Sequence, residues 1–142
     1  MNLKKIILYK EPAISEINTK LLTEFLEEKF PIKVEIRNNV FKEFSLEDIK
    51  KLSNIRITDI KNPFSEHKSS DDEIEFEKRL CEDSSVMNST TKVENAQEIS
   101  EVFMYDGFEL QKILRYLNEG NEVLHIILTN RLTCTFDEND KR

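Results

Sequence analysis

The sequence that decides the fold is Val123-Leu124-His125-Ile126-Ile127-Leu128, a nearly continuous apolar run interrupted only by a histidine. A short run rich in β-branched residues is typical of a strand, and one without polar alternation is typical of a strand covered on both faces. A second such run, Ile6-Ile7-Leu8, predicts a buried strand over residues 4–9. We therefore expect residues 123–128 to lie in the middle of a sheet.

Three other segments have strand character. Apolar and charged residues alternate over 32–37, which predicts a strand with one face in water. Residues 101–105 predict another strand, which ends at a turn or helix N-cap formed by Asp106-Gly107. The three isoleucines between 55 and 60 are less regular, and they indicate a further strand that would place Asp59 near its end.

Helical spacing of apolar residues separates these strands. It predicts amphipathic helices over 14–26, 46–52, 71–80 and 110–117. Ser45 and Asp48 form a predicted capping box at the start of the second helix, since a hydroxyl and a carboxylate three residues apart can cap each other's backbone. Pro31 ends the first helix, because a proline disfavours helical geometry in the preceding residue. Gly120 follows the last helix at a position suited to a C-terminal cap.

The alternation of strands and helices predicts an α/β fold. We expect one domain over residues 1–142, with a mixed sheet of four or five strands and three or four helices. The Ser-, Thr- and Asn-rich segment 84–97 has no clear period and is predicted to be a mobile loop. Because the most buried strand lies close to the last residue, either earlier strands flank it or the chain is C-terminally incomplete.

The chain of 142 residues is acidic, with a formal net charge of −7. Nucleic-acid affinity depends on Lys and Arg that neutralise phosphates, so this composition argues against a nucleic-acid partner. The group Lys50, Lys51 and Arg56 is more typical of a solvated face than of a binding patch. With two glycines the chain has neither a GxGxxG nor a P-loop motif for phosphate binding.

Apolar runs are too short for either a membrane span or a signal peptide. None approaches the roughly 20 residues that cross a bilayer, and Ile6-Ile7-Leu8 is shorter than a signal-peptide core. We therefore predict a cytoplasmic protein with no membrane association. In that compartment both cysteines, Cys81 and Cys134, are expected to be reduced.

The residues that could carry chemistry are scattered. A zinc site needs three or four ligands at suitable spacing, whereas His67, His125, Cys81 and Cys134 are far apart in the sequence. We expect His125 to be a half-buried structural residue and His67 to be solvated. A nucleophile pair of Cys134 with His125 stays open, although a small buried thiol is the favoured interpretation of Cys134.

Carboxylates near strand ends offer one further site. Asp59 and Asp106 are each placed near a predicted strand end, where they could hold Mg²⁺ in a phosphate-processing enzyme. We rank this hypothesis last. The denser acidic runs at 71–73 and 137–138 are more typical of a solvated surface or of a first helical turn.

Three stretches resemble a known family: residues 74–83 (IEFEKRLCED), 105–111 (YDGFELQ) and 125–136 (HIILTNRLTCTF). They are similar to the N-terminal half of uncharacterised archaeal proteins described as metallopeptidases and related to the archaemetzincins. The resemblance implies a zincin-like fold whose zinc-binding helix comes later in a longer relative. It therefore implies no catalytic, cofactor-binding or metal residue in this chain, and zinc only for the longer relative.

The resemblance also implies a position for one segment. Thr129, Asn130 and Arg131 would lie at the rim of a substrate cleft; alternatively Asn130 and Arg131 simply end the strand in a turn. Two functions remain open. The chain is either the scaffold part of a zinc metallopeptidase-like protein, inactive on its own, or a non-enzymatic acidic module that binds a protein or peptide partner.

Overall fold

The computed structural model describes residues 2–59, 61–63, 65–83 and 104–135. This part of the chain contains five strands and four α-helices, which confirms the predicted α/β class. In chain order the elements are β1 Lys5–Lys10, α1 Thr19–Lys29, β2 Lys33–Arg37, α2 Leu46–Asn54, α3 Asp71–Glu82, β3 Met104–Asp106, α4 Gly107–Ile113, β4 Val123–Leu128 and β5 Leu132–Cys134. Two 3-10 turns cover Val40–Glu43 and Leu114–Leu117.

The strands form two parallel sheets. The larger has the order β2-β1-β4, with Ile6 opposite both Val34 and Leu124, and the smaller pairs β3 with β5. Among the described residues the antiparallel pairing is limited to one bridge, between Arg56 and Tyr105. The strands are therefore divided between two parallel sheets, where we had expected one mixed sheet.

β1, and not β4, is the central strand of the larger described sheet. Its residues Ile6 to Tyr9 are all buried, and Leu8 has no exposed surface. β4 lies at an edge of that sheet, and Leu124 is 42% exposed. The expectation that 123–128 is central was wrong because apolar character alone does not report sheet order. Both strands are apolar, but only β1 has neighbours on both sides here.

Side-chain caps set the helix starts. Ser45 and Asp48 form the predicted capping box, and Ser70 forms another with Glu73. The Asn18 side chain accepts a hydrogen bond from the Leu21 backbone, so α1 begins at Thr19 and the first part of the predicted 14–26 segment lies outside the helix. The last predicted helix is split into α4 and the 3-10 turn Leu114–Leu117.

The predicted strand between 55 and 60 is not formed by its described residues. Instead the Ile57 amide donates to the Met104 carbonyl, and the Ile55 carbonyl accepts from the Asp106 amide. Ile60 and the segment 84–97 lie outside the described residues.

The apolar core lies on the face of the larger sheet that carries Ile7 and Tyr9. Helices α2, α3 and α4 and the first 3-10 turn cover it with Leu52, Cys81 and Phe41, among others. The opposite face carries Ile6 and Leu8, which are also buried. None of the described helices is both long and apolar enough to cross a bilayer.

Two leucines in neighbouring strands, one in β1 and one in β4, test the position of β1. We expect Leu8→Ala to lower the free energy of unfolding by about 2–5 kcal/mol, because it leaves a cavity in a fully buried position. The matched change Leu124→Ala, at a half-exposed edge position, should cost about 1 kcal/mol or less. Urea unfolding measures both. Equal losses would contradict the assignment of β1 as the central strand.

Candidate functional site

An open groove of about 850 Å³ lies between β4 and β5, the strands from which the two sheets diverge. β4 and the residue after it contribute alternate residues, His125, Ile127 and Thr129. β5 and the residue after it contribute Thr133 and Thr135. Helix α4 and the following 3-10 turn complete the lining. A volume in this range is typical of a ligand pocket.

Gly107, at the start of α4, allows this helix to approach β5 closely. A Cβ atom at this position would lie 3.1 Å from Thr135 Cγ2 and 3.3 Å from the Cys134 carbonyl oxygen. Both distances are tighter than ordinary van der Waals contact. The absence of a side chain at Gly107 therefore lets α4 pack close to β5 and form one wall of the groove.

A polar network surrounds His125 on the strand face that lines the groove. The Tyr9 hydroxyl lies 3.0 Å from His125 Nδ1 and accepts a hydrogen bond from Arg37 Nη1 at 3.4 Å. The hydroxyl can donate to Nδ1, and a neutral His125 would then carry its proton on Nε2. That atom lies 3.5 Å from Glu119 Oε2, and Arg37 holds the same carboxylate through two nitrogens.

Burial lowers the pKa of His125 below its ordinary value of 6.5. The Glu119 carboxylate acts in the opposite direction, and the charges of Arg37 and Lys5 add to the lowering. His125 is half-buried, as the sequence predicted, and this burial disfavours the charged form of its ring.

Behind the groove, a buried ionic cluster joins the two sheets. Arg131 Nε donates to Glu11 Oε1 at 3.0 Å, and Arg131 Nη1 donates to Glu77 and, at 2.9 Å, to the Tyr105 hydroxyl oxygen. Arg56 Nε donates to Glu77 Oε2 at 2.9 Å, and Tyr105 Oη lies 2.9 Å from the same oxygen. Two carboxylates therefore face two guanidinium groups, so the formal charges balance inside the protein.

Aromatic rings and a thiol complete the surroundings of Arg131. Its guanidinium carbon lies 4.4 Å from the centroid of the Phe41 ring and 5.4 Å from that of Tyr105. A cation over a ring face gains electrostatic attraction, which is stronger when water is excluded. Burial raises the pKa of the neighbouring Cys81 to about 12, so this thiol stays protonated and is a poor nucleophile.

The segment expected at a cleft rim is divided by the structure. Thr129 lines the groove and donates its hydroxyl proton to Glu11. Arg131 is 4% exposed and points into the ionic cluster. The three residues 129–131 connect β4 to β5, as the turn alternative describes. Their role at the rim of a substrate cleft stays a prediction.

The other candidate residues are engaged in local structure. The Asp106 carboxylate accepts from the backbone of Phe108 and Glu109 as the N-cap of α4, and Asp59 accepts from the Lys61 backbone. His67 Nε2 lies 3.1 Å from Glu73 Oε1. The His67 side chain is 18% exposed, so the expectation of a solvated residue was wrong. The ring lies beside the carboxylate of Glu73, in the first turn of α3.

Cys134 and His125 do not form the nucleophile pair that the sequence left open. The two nitrogens of His125 face Tyr9 and Glu119 instead. Nucleophilic catalysis requires a base within hydrogen-bond reach of the thiol.

Comparison with models of known protein families identifies the family of this chain. The model described as "Probable metallopeptidase family (DUF6775)" matches residues 2–142. The chain belongs to this family. No curated protein and no solved structure matches it.

The name of the probable metallopeptidase family implies a metal, so the available ligands matter. Within the described ranges, no group of three or more His, Cys, Asp or Glu side chains could hold a metal ion. The nearest arrangements are pairs, His125 with Glu119 and His67 with Glu73. A zinc site needs three or four protein ligands. The described part of this family member therefore does not fit a zinc centre.

Sequence reasoning missed the buried cluster of this metallopeptidase-family chain, although one signal was present. Glu77 lies three residues after Ile74 and four before Cys81, which places a carboxylate on the apolar stripe of α3. A charge at such a position indicates a buried partner. Nothing in the sequence identified that partner, because Arg56 and Arg131 are distant in the chain.

Removing one charge tests the cluster. We expect Glu77→Gln to lower the free energy of unfolding by about 3–5 kcal/mol, because the buried guanidinium groups of Arg56 and Arg131 then lose the carboxylate that both contact. The exposed neighbour Glu75 on the same helix provides the control, and Glu75→Gln should change stability by about 0.5 kcal/mol or less. Urea or thermal unfolding measures both. Similar effects of the two changes would disprove the importance of the cluster.

The network at His125 predicts a pH dependence. Because the pKa of His125 is lower in the folded state, the unfolded chain binds a proton first as the pH falls. The stability contributed by neutral His125 should be present above pH 6.5 and decline as the pH falls through the folded-state pKa. NMR titration of the ring measures that pKa directly. Glu119→Gln should lower it further, whereas Glu122→Gln, which removes a carboxylate paired with Lys4, should not.

Proposed function

We propose that this chain is the N-terminal scaffold part of a zincin-like zinc metallopeptidase and has no catalytic activity of its own. One observation carries the proposal: a member of the probable metallopeptidase family, matched over residues 2–142, brings together pairs of metal ligands and no larger group in its described part. The chemistry of the family then requires further ligands beyond those of the described residues. What the described residues supply is a groove and a rigid framework behind it.

The ionic cluster supports the scaffold role. Its members Glu77, Tyr105 and Arg131 each lie in one of the three stretches that resemble the archaeal metallopeptidases related to archaemetzincins. These three residues hold the two sheets together. This is the pattern expected if the shared feature of the relatives is the framework. In this proposal the protein is archaeal, zincin-like and cytoplasmic.

The position of Thr129 supports a cleft at this place. Its hydroxyl donates to Glu11 and accepts from the Arg131 backbone, so the side chain is held in one orientation on the groove wall. Arg131 acts from behind by fixing Glu11. In this proposal Thr129 and Asn130 form the rim of a substrate cleft, and Arg131 positions them.

Metal content tests the proposal. After incubation with zinc and dialysis, we expect the 142-residue chain to retain far less than one zinc per molecule and to cleave no peptide. A reading frame extended past Arg142, if it encodes a histidine-bearing helix, should give a protein that retains one zinc. Stoichiometric zinc in the 142-residue chain would contradict the proposal.

A non-enzymatic interaction module is the second candidate. The specific observation in its favour is helix α1, on which Leu21 and Phe25 are 61% and 53% exposed one turn apart. Exposed apolar side chains in a row favour contact with a protein or peptide partner. A stop codon after Arg142, with no metal-binding helix encoded downstream, would favour this alternative over the scaffold role.

A further inference from the structure

The groove between β4 and β5 differs in charge from the acidic chain as a whole. The protein has a net charge of −7, yet the described residues that line this groove include no carboxylate, and Arg115 is the one among them with a fixed charge. We propose that the groove binds the carboxyl terminus of a peptide that ends in an apolar side chain. This site does not depend on zinc or on the proposed scaffold role.

Arg115 is available for a carboxylate. It lies exposed on the 3-10 turn after α4, and the contacts of the described residues assign its guanidinium no carboxylate partner. A guanidinium can bind a carboxylate through two parallel hydrogen bonds, which gives both affinity and orientation. Glu119 follows the groove residue Asn118 in the chain, and its carboxylate is already bound by two nitrogens of Arg37. It therefore offers little repulsion to an incoming anion.

The floor of the groove suits an apolar side chain. Its apolar lining comes from the first 3-10 turn, from α4 with the turn after it, and from β4: Phe41, Leu110, Leu114, Leu117 and Ile127. Phe41 and Leu110 belong to the core cluster, and the other three are partly buried and pack against it. A terminal leucine or valine side chain would gain free energy by covering them.

The walls favour a peptide over a simple fatty acid. Thr133 and Thr135 line one side of the groove, and His125 lines the other. In the described sheets β4 pairs only with β1 and β5 only with β3, so each strand has a backbone edge without a strand partner. Peptide amides can use such edges and hydroxyls as hydrogen-bond partners, whereas an alkyl chain cannot.

Fluorescence anisotropy with a labelled probe tests the inference on the 142-residue chain. The probe is a Gly/Ser heptapeptide that ends in leucine, labelled at its N-terminus and made with either a free or an amidated C-terminus. We expect the free carboxylate form to bind about tenfold more tightly than the amide, because only the former pairs with Arg115. Arg115→Gln should remove this difference. The control Arg79→Gln, on the exposed face of α3 and outside the groove, should preserve it.

Backbone NMR locates the binding site independently of affinity. The free-carboxylate peptide should shift the amide signals of Gly107, Thr133 and Thr135 and leave those of α1 unchanged. Equal binding of acid and amide, shifts confined to α1, or binding of dodecanoate without binding of the peptide would each overturn the inference. Failure of the chain to bind zinc would not affect it. Conversely, a peptide that binds as expected would leave the zinc question open.

Discussion

The Arg131 guanidinium, held between Glu11 and Glu77, is the interaction on which the rest of the structure depends. Glu11 follows β1, Glu77 lies on α3, and Arg131 precedes β5, so this one side chain ties the larger sheet, a covering helix and the smaller sheet. Removing these charges from water is costly, and the cost is offset only when each group keeps its partners. The cluster therefore specifies one arrangement of the two sheets more than it adds net stability. A different packing would leave a charge buried alone.

The groove follows from the same constraint. Arg131 turns inward where the chain leaves the larger sheet, and the strand that follows it, β5, pairs with β3. The two sheets diverge at this turn, and the space between them is lined in part by core residues such as Phe41 and Leu110. Thr129 shows the connection directly, since its hydroxyl contacts Glu11 of the cluster while the residue lines the groove. A substitution in the ionic cluster should therefore alter the groove wall, even though the substituted residue does not contact a ligand.

Local features of the sequence predicted local structure well. The capping box at Ser45 and the cap at Asp106 are formed as expected, because such signals depend on residues three apart. Sheet order was predicted wrongly, since Ile6-Ile7-Leu8 and the 123–128 run are equally apolar and only pairing distinguishes them. The inward direction of Arg131 could not be predicted either. Its partners lie 120 and 54 residues away in sequence, and no local pattern links them.

The pairing of β1 with β4 has a consequence for synthesis of the chain. Lys5 lies opposite Val123, so nearly the whole described sequence must be synthesised before β4, the second neighbour of the central strand β1, emerges from the ribosome. At about 5–20 residues per second this interval is on the order of ten seconds. Throughout it, β1 presents an apolar strand with an open edge, which is a template for pairing with another chain. The nascent protein is thus most vulnerable to aggregation before its last described strands appear, and a chaperone that covers short apolar segments would matter most in that period.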